Sequence, residues 1–407
     1  MSTQSSLHRP SRVGICYLAP DVAIPSPRGS SVHVFELAGG LASLGHEVHV
    51  VCRRLNRSDP ATEKLGNIVA HRLYRWIVIP EARSSFKTET GEATRVGSIN
   101  RIYYLYLFTI FRLYAAIVAA RIIRRFELGV TMERETSFGA GALASYLSRT
   151  PLVLEIIGPR YSKSSVRRSS KILYYTESML RDWVDRTKCV AVPAGVNTAL
   201  FQQDENLGNQ VRQELGISDK CLVVGYVGTF QSWHGVDTLL LSIRELVSRH
   251  NEIRVLLVGP SFEKFRLMAS DLGILDYCKF IGPVKYEDVP MYVNACDIMT
   301  APYDPQKDGL RKAYGIGWPL KILEYMACGK PVISTDLKPI DTIISDANLG
   351  ILITPGNANE LAKSIELLMN DRQRMEKIAA KAKLLVQQNY SWSSFAKTVS
   401  SIVQSLE

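Results

Sequence analysis

The fold is decided by one stretch, residues 317–333, which reads Gly317-Trp318-Pro319-Leu320-Lys321-Ile322-Leu323-Glu324-Tyr325-Met326-Ala327-Cys328-Gly329-Lys330-Pro331-Val332-Ile333. Pro319 suits the first turn of a helix, where its missing N–H would be unsatisfied anyway. Gly329 supplies a C-terminal turn, and Pro331 prevents the helix from continuing. Val332 and Ile333 open an apolar run typical of a parallel strand that is covered on both faces. The stretch predicts a loop, a helix, a turn and a buried strand.

Two charged side chains, Lys321 and Glu324, fall in the first turns of this otherwise apolar helix. A helix N-terminus attracts anions, and a lysine beside it strengthens that attraction. A carboxylate one turn further on could accept hydrogen bonds from the hydroxyls of a ribose. Taken alone, the pair is equally compatible with a surface salt bridge.

Length and composition limit the possible classes of protein. A chain of 407 residues exceeds one ordinary core, and 46% apolar with 22% charged residues is typical of a folded globular protein, so we expect two domains. The seven cysteines are scattered and form no C-x-x-C pair, which argues against a disulfide framework or a zinc site. Residues 1–12 contain no hydrophobic signal-peptide core, so we expect a cytoplasmic protein.

The net charge of +10 is unevenly distributed. Residues 1–195 contain 27 Lys and Arg against 15 Asp and Glu, whereas the remainder contains 22 against 24. A basic first half and a nearly neutral second half indicate different partners for the two halves. Because no nucleic-acid motif is present, an anionic membrane surface or a lipid-phosphate acceptor is favoured over nucleic acid.

The first half begins with a strand at residues 12–18, a loop at 20–30, a helix at 31–44 and a strand at 47–52. This order is typical of a doubly wound parallel sheet. No G-x-G-x-x-G motif supports dinucleotide binding. Gly29 and Ser30 nevertheless lie where backbone N–H groups could approach a phosphate. His33, one turn into the helix, is equally consistent with a site residue or a packed histidine.

A strand at residues 128–132 ends in Glu133-Arg134-Glu135, at the sheet edge where open α/β folds bind their ligands. A helix at 138–147 and a strand at 151–157 follow, and further strands at 171–176 and 189–193 complete the sheet. Glu155 interrupts the apolar strand and needs a partner, for which Arg134 is one candidate.

Two other segments of the first half have alternative interpretations. Residues 102–126 are apolar and aromatic, but Arg112 near the middle would cost about 2.5–3.5 kcal/mol in a bilayer core. We expect helices packed on the sheet, with contact to a membrane surface as the less favoured alternative. The segment between Glu155 and Thr176 could clamp a phosphorylated acceptor, although an exposed loop is the default; its basic residues are Arg160, Lys163, Arg167, Arg168 and Lys171.

The second half repeats the plan of the first. A linker at residues 194–201 leads to a strand at 222–227, a glycine-containing loop at 228–235 and a helix at 236–250. Strands at 254–258, 279–282, 297–303 and 350–354 alternate with helices, and a last helix from residue 391 could pack back on the first domain. The predicted fold is α/β, with two doubly wound Rossmann-like domains, residues 1–194 and 195–390, facing across a cleft.

Several motifs in order along the chain carry a family resemblance. They are Gly45-His46-Glu47-Val48, Val192-Pro193-Ala194-Gly195-Val196-Asn197 with Phe201, Gly225-Tyr226-Val227-Gly228, Gly235-Val236-Asp237, Phe280-Ile281-Gly282-Pro283-Val284, Ala295-Cys296-Asp297 and the stretch at 323–333. Together they resemble the retaining family 4 glycosyltransferases of GT-B architecture. The resemblance covers nearly the whole chain.

The resemblance implies a UDP-sugar or GDP-sugar donor held by the second domain, an acceptor held by the first, and transfer with retention that needs no metal ion or other cofactor. Glu324 would bind the ribose hydroxyls and Val284 the base, while Gly29 and Ser30 would close over the diphosphate. Arg134 would face the sugar, with Glu133 organising that side. The donor-binding residues implied in this way are Gly29, Ser30, Gly228, Thr229, Val284, Leu320 and Glu324.

Three positions depart from the family pattern. Ile316 replaces a glutamate expected to hold sugar hydroxyls, and Thr229 and His234 replace an arginine and a lysine that bind the diphosphate. The leaving diphosphate still needs positive charge or oriented donors. We expect Lys321, its helix N-terminus and His234 to supply them. The chain is similar to a branch of the family with a Trp-His-Gly loop, a Pro-Leu-Lys helix start and a Glu-Arg strand end.

The resemblance therefore predicts a cytoplasmic glycosyltransferase, peripheral to the inner membrane face, in cell-surface polysaccharide or glycolipid synthesis. The residues expected to carry out catalysis are Glu133, Arg134, His234 and Lys321. One alternative is a scaffold that binds nucleotide sugars without turnover. Another is a phosphorylase-like enzyme that uses free phosphate.

Overall fold

The computed structural model describes residues 12–26, 29–74, 106–135, 139–158, 161–192, 195–316, 318–346 and 348–407. Some predicted features lie outside these residues, namely Gly317, Phe138, Arg160, and residues 1–11, 102–105 and 193–194. The chain divides into two compact units. Unit 1 contains Met1–Tyr175, Met179–Val192 and Ala396–Glu407, and unit 2 contains Thr176–Ser178 and Pro193–Phe395.

Unit 1 is built on an eight-stranded sheet with the order β3-β4-β2-β1-β5-β6-β7-β8. All neighbouring strands are parallel except β3, which pairs antiparallel with β4. The elements are β1 (Gly14–Ala23), α1 (Gly29–Ser43), β2 (Glu47–Arg53), β3 (Thr62–Leu65), β4 (Ile68–Leu73), α2 (Arg112–Arg125), β5 (Val130–Arg134), α3 (Ala140–Ser148), β6 (Leu152–Ile156), α4 (Lys163–Arg168), β7 (Lys171–Tyr174) and β8 (Cys189–Ala191).

The β3–β4 hairpin was not predicted. β3 reads Thr-Glu-Lys-Leu and is half exposed, so it lacks the apolar run that identifies the buried strands. The predicted packing of the apolar segment is confirmed for α2, which buries Ala115, Ala119 and Ile123 in a core cluster of unit 1. Within the described ranges, no helix is long and apolar enough to cross a membrane.

Unit 2 is built on a six-stranded parallel sheet with the order β11-β10-β9-β12-β13-β14. Hydrophobic clusters cover this sheet, as expected for buried parallel strands. The elements are α5 (Glu205–Glu214), β9 (Leu222–Val227), α6 (Val236–Val247), β10 (Ile253–Val258), α7 (Glu263–Asp271), β11 (Cys278–Ile281), α8 (Val289–Asn294), β12 (Ile298–Ala301), α9 (Gly309–Tyr314), α10 (Leu320–Ala327), β13 (Val332–Thr335), α11 (Ile340–Ile343), β14 (Ile351–Ile353), α12 (Ala358–Asn370), α13 (Arg372–Asn389) and α14 (Trp392–Gln404).

The predicted class of two Rossmann-like α/β domains is confirmed by these two sheets. In each sheet the strand order reverses beside the first strand, at β1 in unit 1 and at β9 in unit 2. Ligands of open α/β sheets bind beyond the carboxyl ends of the strands at such a reversal. The end of α14 completes unit 1, where His46 Nε2 lies 2.7 Å from Ser400 Oγ.

Candidate functional site

At the carboxyl end of β9 in unit 2, the side chain of Lys321 lies close to the backbone of Gly228. Gly228 follows β9 with φ +149°, and a Cβ on it would lie 2.7 Å from Lys321 Nζ. The positive φ favours glycine here, and any Cβ would displace the end of the Lys321 side chain. Lys321 comes from the first turn of α10, and Pro319 caps this helix instead of opening it as predicted.

Lys321 is held by aromatic rings. Its Nζ donates to the hydroxyl of Tyr226 at 3.1 Å and lies 4.5 Å from the centroid of that ring and 5.3 Å from that of Tyr303. Burial lowers the pKa of Lys321 to about 7, although the charge of Glu324 opposes this shift. An anion that bound beside Lys321 would favour its protonated form.

Glu324 lies one turn further along α10. Its Oε1 accepts a hydrogen bond from the hydroxyl of Tyr286 at 3.1 Å. Burial raises the pKa of Glu324 to about 7, against the opposing effects of Tyr286 and Lys321. Its Oε2 has no hydrogen-bond donor within the part of the chain that the structure describes, so this oxygen is available to a ligand hydroxyl.

His234 is buried and bonds to the backbone of its own loop. Its Nδ1 lies 2.5 Å from the carbonyl oxygen of Thr229, which fixes Nδ1 as the donor. Burial, and then the charge of Lys321, lower the pKa of His234 to about 2. The prediction that His234 offers the diphosphate positive charge or an oriented donor stays a prediction, and in this structure the imidazole is neutral. His234 and Tyr226 both donate to the Thr229 carbonyl and fix the loop after β9.

The other predicted residues of unit 2 are less deeply placed. Thr229 is exposed, while Val284 and Leu320 are half-buried. Ile316 is 6% exposed and packs in a core cluster, which accounts for an apolar residue at the position of the missing carboxylate.

Arg311 is a cation that the sequence reasoning missed. It lies on the short helix α9, and its Cζ is 4.6 Å from the centroid of Trp233. Trp233 stacks on Tyr303 with ring centroids 5.5 Å apart, and Tyr303 is also a ring that Lys321 approaches. A usable signal was present, because Arg311 follows the predicted strand at residues 297–303, whose carboxyl end faces ligands.

In unit 1, Glu155 is fully buried among three donors. The hydroxyls of Tyr17 and Tyr175 donate to it, the latter at 2.8 Å, and His33 Nε2 lies 2.6 Å from Oε1. Burial alone would raise the pKa of Glu155, yet these groups outweigh it and the pKa is lowered. The prediction of Arg134 as its partner is corrected, because three other groups satisfy the carboxylate. His33 is thus a packed histidine.

The side chains of Glu133 and Arg134 lie on opposite faces of the sheet. Side chains alternate along β5, and Glu133 is buried where it accepts from Gly141 N at 2.9 Å and Ser165 Oγ at 2.5 Å. The prediction that Glu133 organises the reacting side is corrected, since it fixes α3 and α4. Glu135 likewise accepts from the N–H groups of Ile157 and Gly158, and burial raises its pKa to about 8.

Arg134 faces a cavity of about 250 Å³ within unit 1. Its guanidinium pairs loosely with Asp21, at 3.7 Å, and its buried Nε has no hydrogen-bond partner among the described residues. Ser30 lines the same cavity, and Gly29 is the exposed first residue of α1. The predicted closure of Gly29 and Ser30 over a diphosphate stays a prediction.

Comparison with solved structures identifies the fold. Sucrose-phosphate synthase from Thermosynechococcus elongatus is 18% identical with a TM-score of 0.72, over 97% of this chain and 99% of that one. Anabaena HepE, solved in complex with UDP and glucose, is 19% identical with a TM-score of 0.71, over 97% and 100%.

Curated relatives give a similar picture. D-inositol 3-phosphate glycosyltransferase of Stackebrandtia nassauensis is 27% identical over 223 residues, 52% of this chain and 47% of that protein. Alpha-D-kanosaminyltransferase of Streptomyces kanamyceticus is 22% identical over 317 residues, 69% of this chain and 79% of that protein. The chain thus spans about half the length of the inositol phosphate relatives that it matches.

Two family models match consecutive parts of the chain. Residues 27–200 match Glycosyltransferase Family 4, and residues 209–402 match Glycosyl transferases group 1. The predicted resemblance to family 4 glycosyltransferases of GT-B architecture is confirmed, while retention of configuration stays a prediction. The chain belongs to the family 4 and group 1 glycosyltransferases, with the GT-B fold.

Proposed function

We propose that the protein transfers a sugar from a UDP-sugar or GDP-sugar to an acceptor hydroxyl, with retention of configuration and without a metal ion. The observation that carries the proposal is the Lys321 ammonium against Gly228, with the Glu324 carboxylate one turn along the same helix. This pair provides a cation for a diphosphate and an acceptor for ribose hydroxyls. The UDP complex of HepE, a protein of the same fold, supports the donor class.

In the proposed reaction the bond between the anomeric carbon and the diphosphate oxygen breaks as the acceptor oxygen bonds to that carbon. Lys321 and the N-terminus of α10 stabilise the negative charge that develops on the diphosphate. A diphosphate oxygen takes the proton of the acceptor hydroxyl on the same side of the sugar. Val284 contacts the base and Glu324 binds the ribose.

The acceptor side of the proposal is assigned to unit 1. Arg134 lines a cavity there and has donor capacity that its loose pair with Asp21 does not use. The basic charge of the first half fits a phosphorylated or lipid-linked acceptor at an anionic membrane surface. We therefore propose a role in cell-surface polysaccharide or glycolipid synthesis at the cytoplasmic membrane face.

The test measures donor binding by calorimetry and sugar transfer to a glycolipid extract, with the variants Lys321→Ala and Glu324→Ala. Both variants should lose binding and transfer, and wild-type rates in both would contradict the assignment. The neutral His234 and the buried Ile316 favour a second candidate, a scaffold that binds nucleotide sugars without turnover. Tight donor binding without transfer to any acceptor would support that candidate.

A further inference from the structure

A second cation beside Lys321 has no role so far. Arg311 is half-buried, and its guanidinium makes no ion pair or side-chain hydrogen bond within the described ranges. Nearby Lys307, in contrast, pairs with Asp237 at 2.7 Å and with Asp304 at 3.2 Å. Lys307 is thus paired with two carboxylates. The carboxylate nearest to Arg311 in the chain, Asp308, accepts from its backbone N–H at 2.9 Å and acts on the guanidinium only through its charge, so the N–H donors of that guanidinium stay available.

The position of Arg311 is fixed by the chain around it. Gly235 N-caps α6, and a Cβ there would overlap the carbonyl oxygen of Pro302. Trp233 O accepts from Asp304 N at 2.8 Å, which ties the loop after β9 to the loop after β12. The Trp233 ring, stacked at 19° to Tyr303, thus offers a fixed surface to the guanidinium.

Arg311 and Lys321 also act on one neighbour. Arg311 Cζ lies 4.6 Å from the ring centroid of Trp233 and Lys321 Nζ lies 5.3 Å from that of Tyr303. His234 packs against both rings, with centroids 4.1 Å and 5.6 Å away, so the two cations lie on either side of one imidazole. That imidazole is neutral and compensates neither cation.

The charge of Glu324 acts on Lys321 and that of Asp308 acts on Arg311. Neither cation, however, forms an ion pair within the described ranges, and Ile316 stands where a further carboxylate was expected. Two cations without ion pairs at one sheet edge favour a bound anion.

We propose that Arg311 is a second anion-binding residue of the donor site, which binds an anionic oxygen of the donor. This inference rests on the proposed function and supplies the positive charge that Thr229 and His234 do not. The oxygen belongs either to the diphosphate or to a carboxylate on the transferred sugar. Arginine binds both groups through the same bidentate geometry.

The experiment measures calorimetric affinities of UDP, UDP-glucose and UDP-glucuronic acid, or the GDP equivalents if only GDP binds the wild type. The variants are Arg311→Met and Arg311→Lys, with Lys312→Met as a control because Lys312 is the exposed next residue. Loss of one charge-assisted contact should weaken binding by about 10- to 100-fold in Arg311→Met. The affinity of Arg311→Lys, which keeps the charge, should lie between those of the wild type and Arg311→Met. Lys312→Met should bind as the wild type does.

The pattern across ligands identifies the oxygen. Weaker binding of all three ligands to Arg311→Met supports contact with the diphosphate, and weaker binding of UDP-glucuronic acid alone supports contact with a sugar carboxylate. Melting temperatures show whether a loss of affinity reflects unfolding. If Arg311→Met is unfolded, the affinity of a folded Arg311→Lys variant decides the result. Affinities of the Arg311 variants equal to those of Lys312→Met for every ligand overturn the inference. A wild type that binds no nucleotide contradicts the proposed function itself.

Discussion

The two units place charged residues at equivalent sheet edges and use them differently. In unit 1, the carboxylates of Glu133, Glu135 and Glu155 each accept two or three hydrogen bonds from the same unit. In unit 2, Lys321 and Arg311 rest mainly on aromatic rings. Charge at a strand end therefore does not identify a ligand site by itself. What distinguishes the two edges is whether the neighbouring residues already satisfy the charge.

The largest effect should come from Glu155→Ala in unit 1. Glu155 is the carboxylate that His33 and the hydroxyls of Tyr17 and Tyr175 share, and we expect its removal from this buried network to lower the free energy of unfolding by about 3–5 kcal/mol. Amide hydrogen exchange measures this loss of stability, because the amides of β6 should exchange faster in the variant than in the wild type. Asp182→Ala, at an exposed carboxylate, is the control. Unchanged protection of β6 would mean that this network is not structural.

Lys321→Met should reduce sugar transfer by about 10²- to 10³-fold, the usual loss when one charge-stabilising group is removed. Lys363→Met, at an exposed lysine of α12, is the matched control. Initial rates with saturating donor separate turnover from binding. Equal transfer rates for the two variants would show that Lys321 has no role in transfer, so that the charges at this sheet edge only stabilise the fold, as those in unit 1 do.

Glu324→Gln should weaken donor binding by about tenfold, because a charged acceptor of a ribose hydroxyl becomes a neutral one. A donor that lacks the 2′ or 3′ hydroxyl should bind the wild type more weakly and show a smaller difference between wild type and variant. Competition binding with the deoxynucleotides measures this. If the missing hydroxyl weakens binding equally in the wild type and in Glu324→Gln, Glu324 does not bind the ribose.

The smallest effect is a pH dependence. Burial lowers the pKa of Lys321 to about 7, so the free lysine loses its proton as the pH rises above 7. Anion binding requires the protonated form, and nucleotide affinity should fall by up to about tenfold per pH unit on the alkaline side. Calorimetry from pH 7 to 9 tests this, and the decline should be absent in Lys321→Met. An alkaline decline that persists in the variant would assign the proton to another group.

The fold was predictable because its signals are local. Apolar runs marked the parallel strands, and Gly329 with Pro331 marked the turn after α10. The half-exposed strand β3 carries no such run and was missed. Lys321 and Glu324 were found for a similar reason, since charges within an apolar helix are conspicuous.

The parts of the site that could not be predicted depend on residues distant in sequence. The pKa of His234 depends on burial and on Lys321, 87 positions later. Glu155 is satisfied by Tyr17 and His33, which no local pattern connects to β6. Arg311 was overlooked because a single arginine in a predicted loop looks like any exposed cation in the sequence. Its contact with the Trp233 ring is visible only in the structure.

The assignment of Ala396–Glu407 to unit 1 has a consequence for synthesis. The ribosome delivers this segment only after Pro193–Phe395 has emerged, so nascent unit 1 lacks the Ser400 hydroxyl beside His46 during that time. At about 5–20 residues per second, making some 200 residues takes about 10–40 s. For that interval the first half of the chain must persist without the C-terminal residues that complete unit 1.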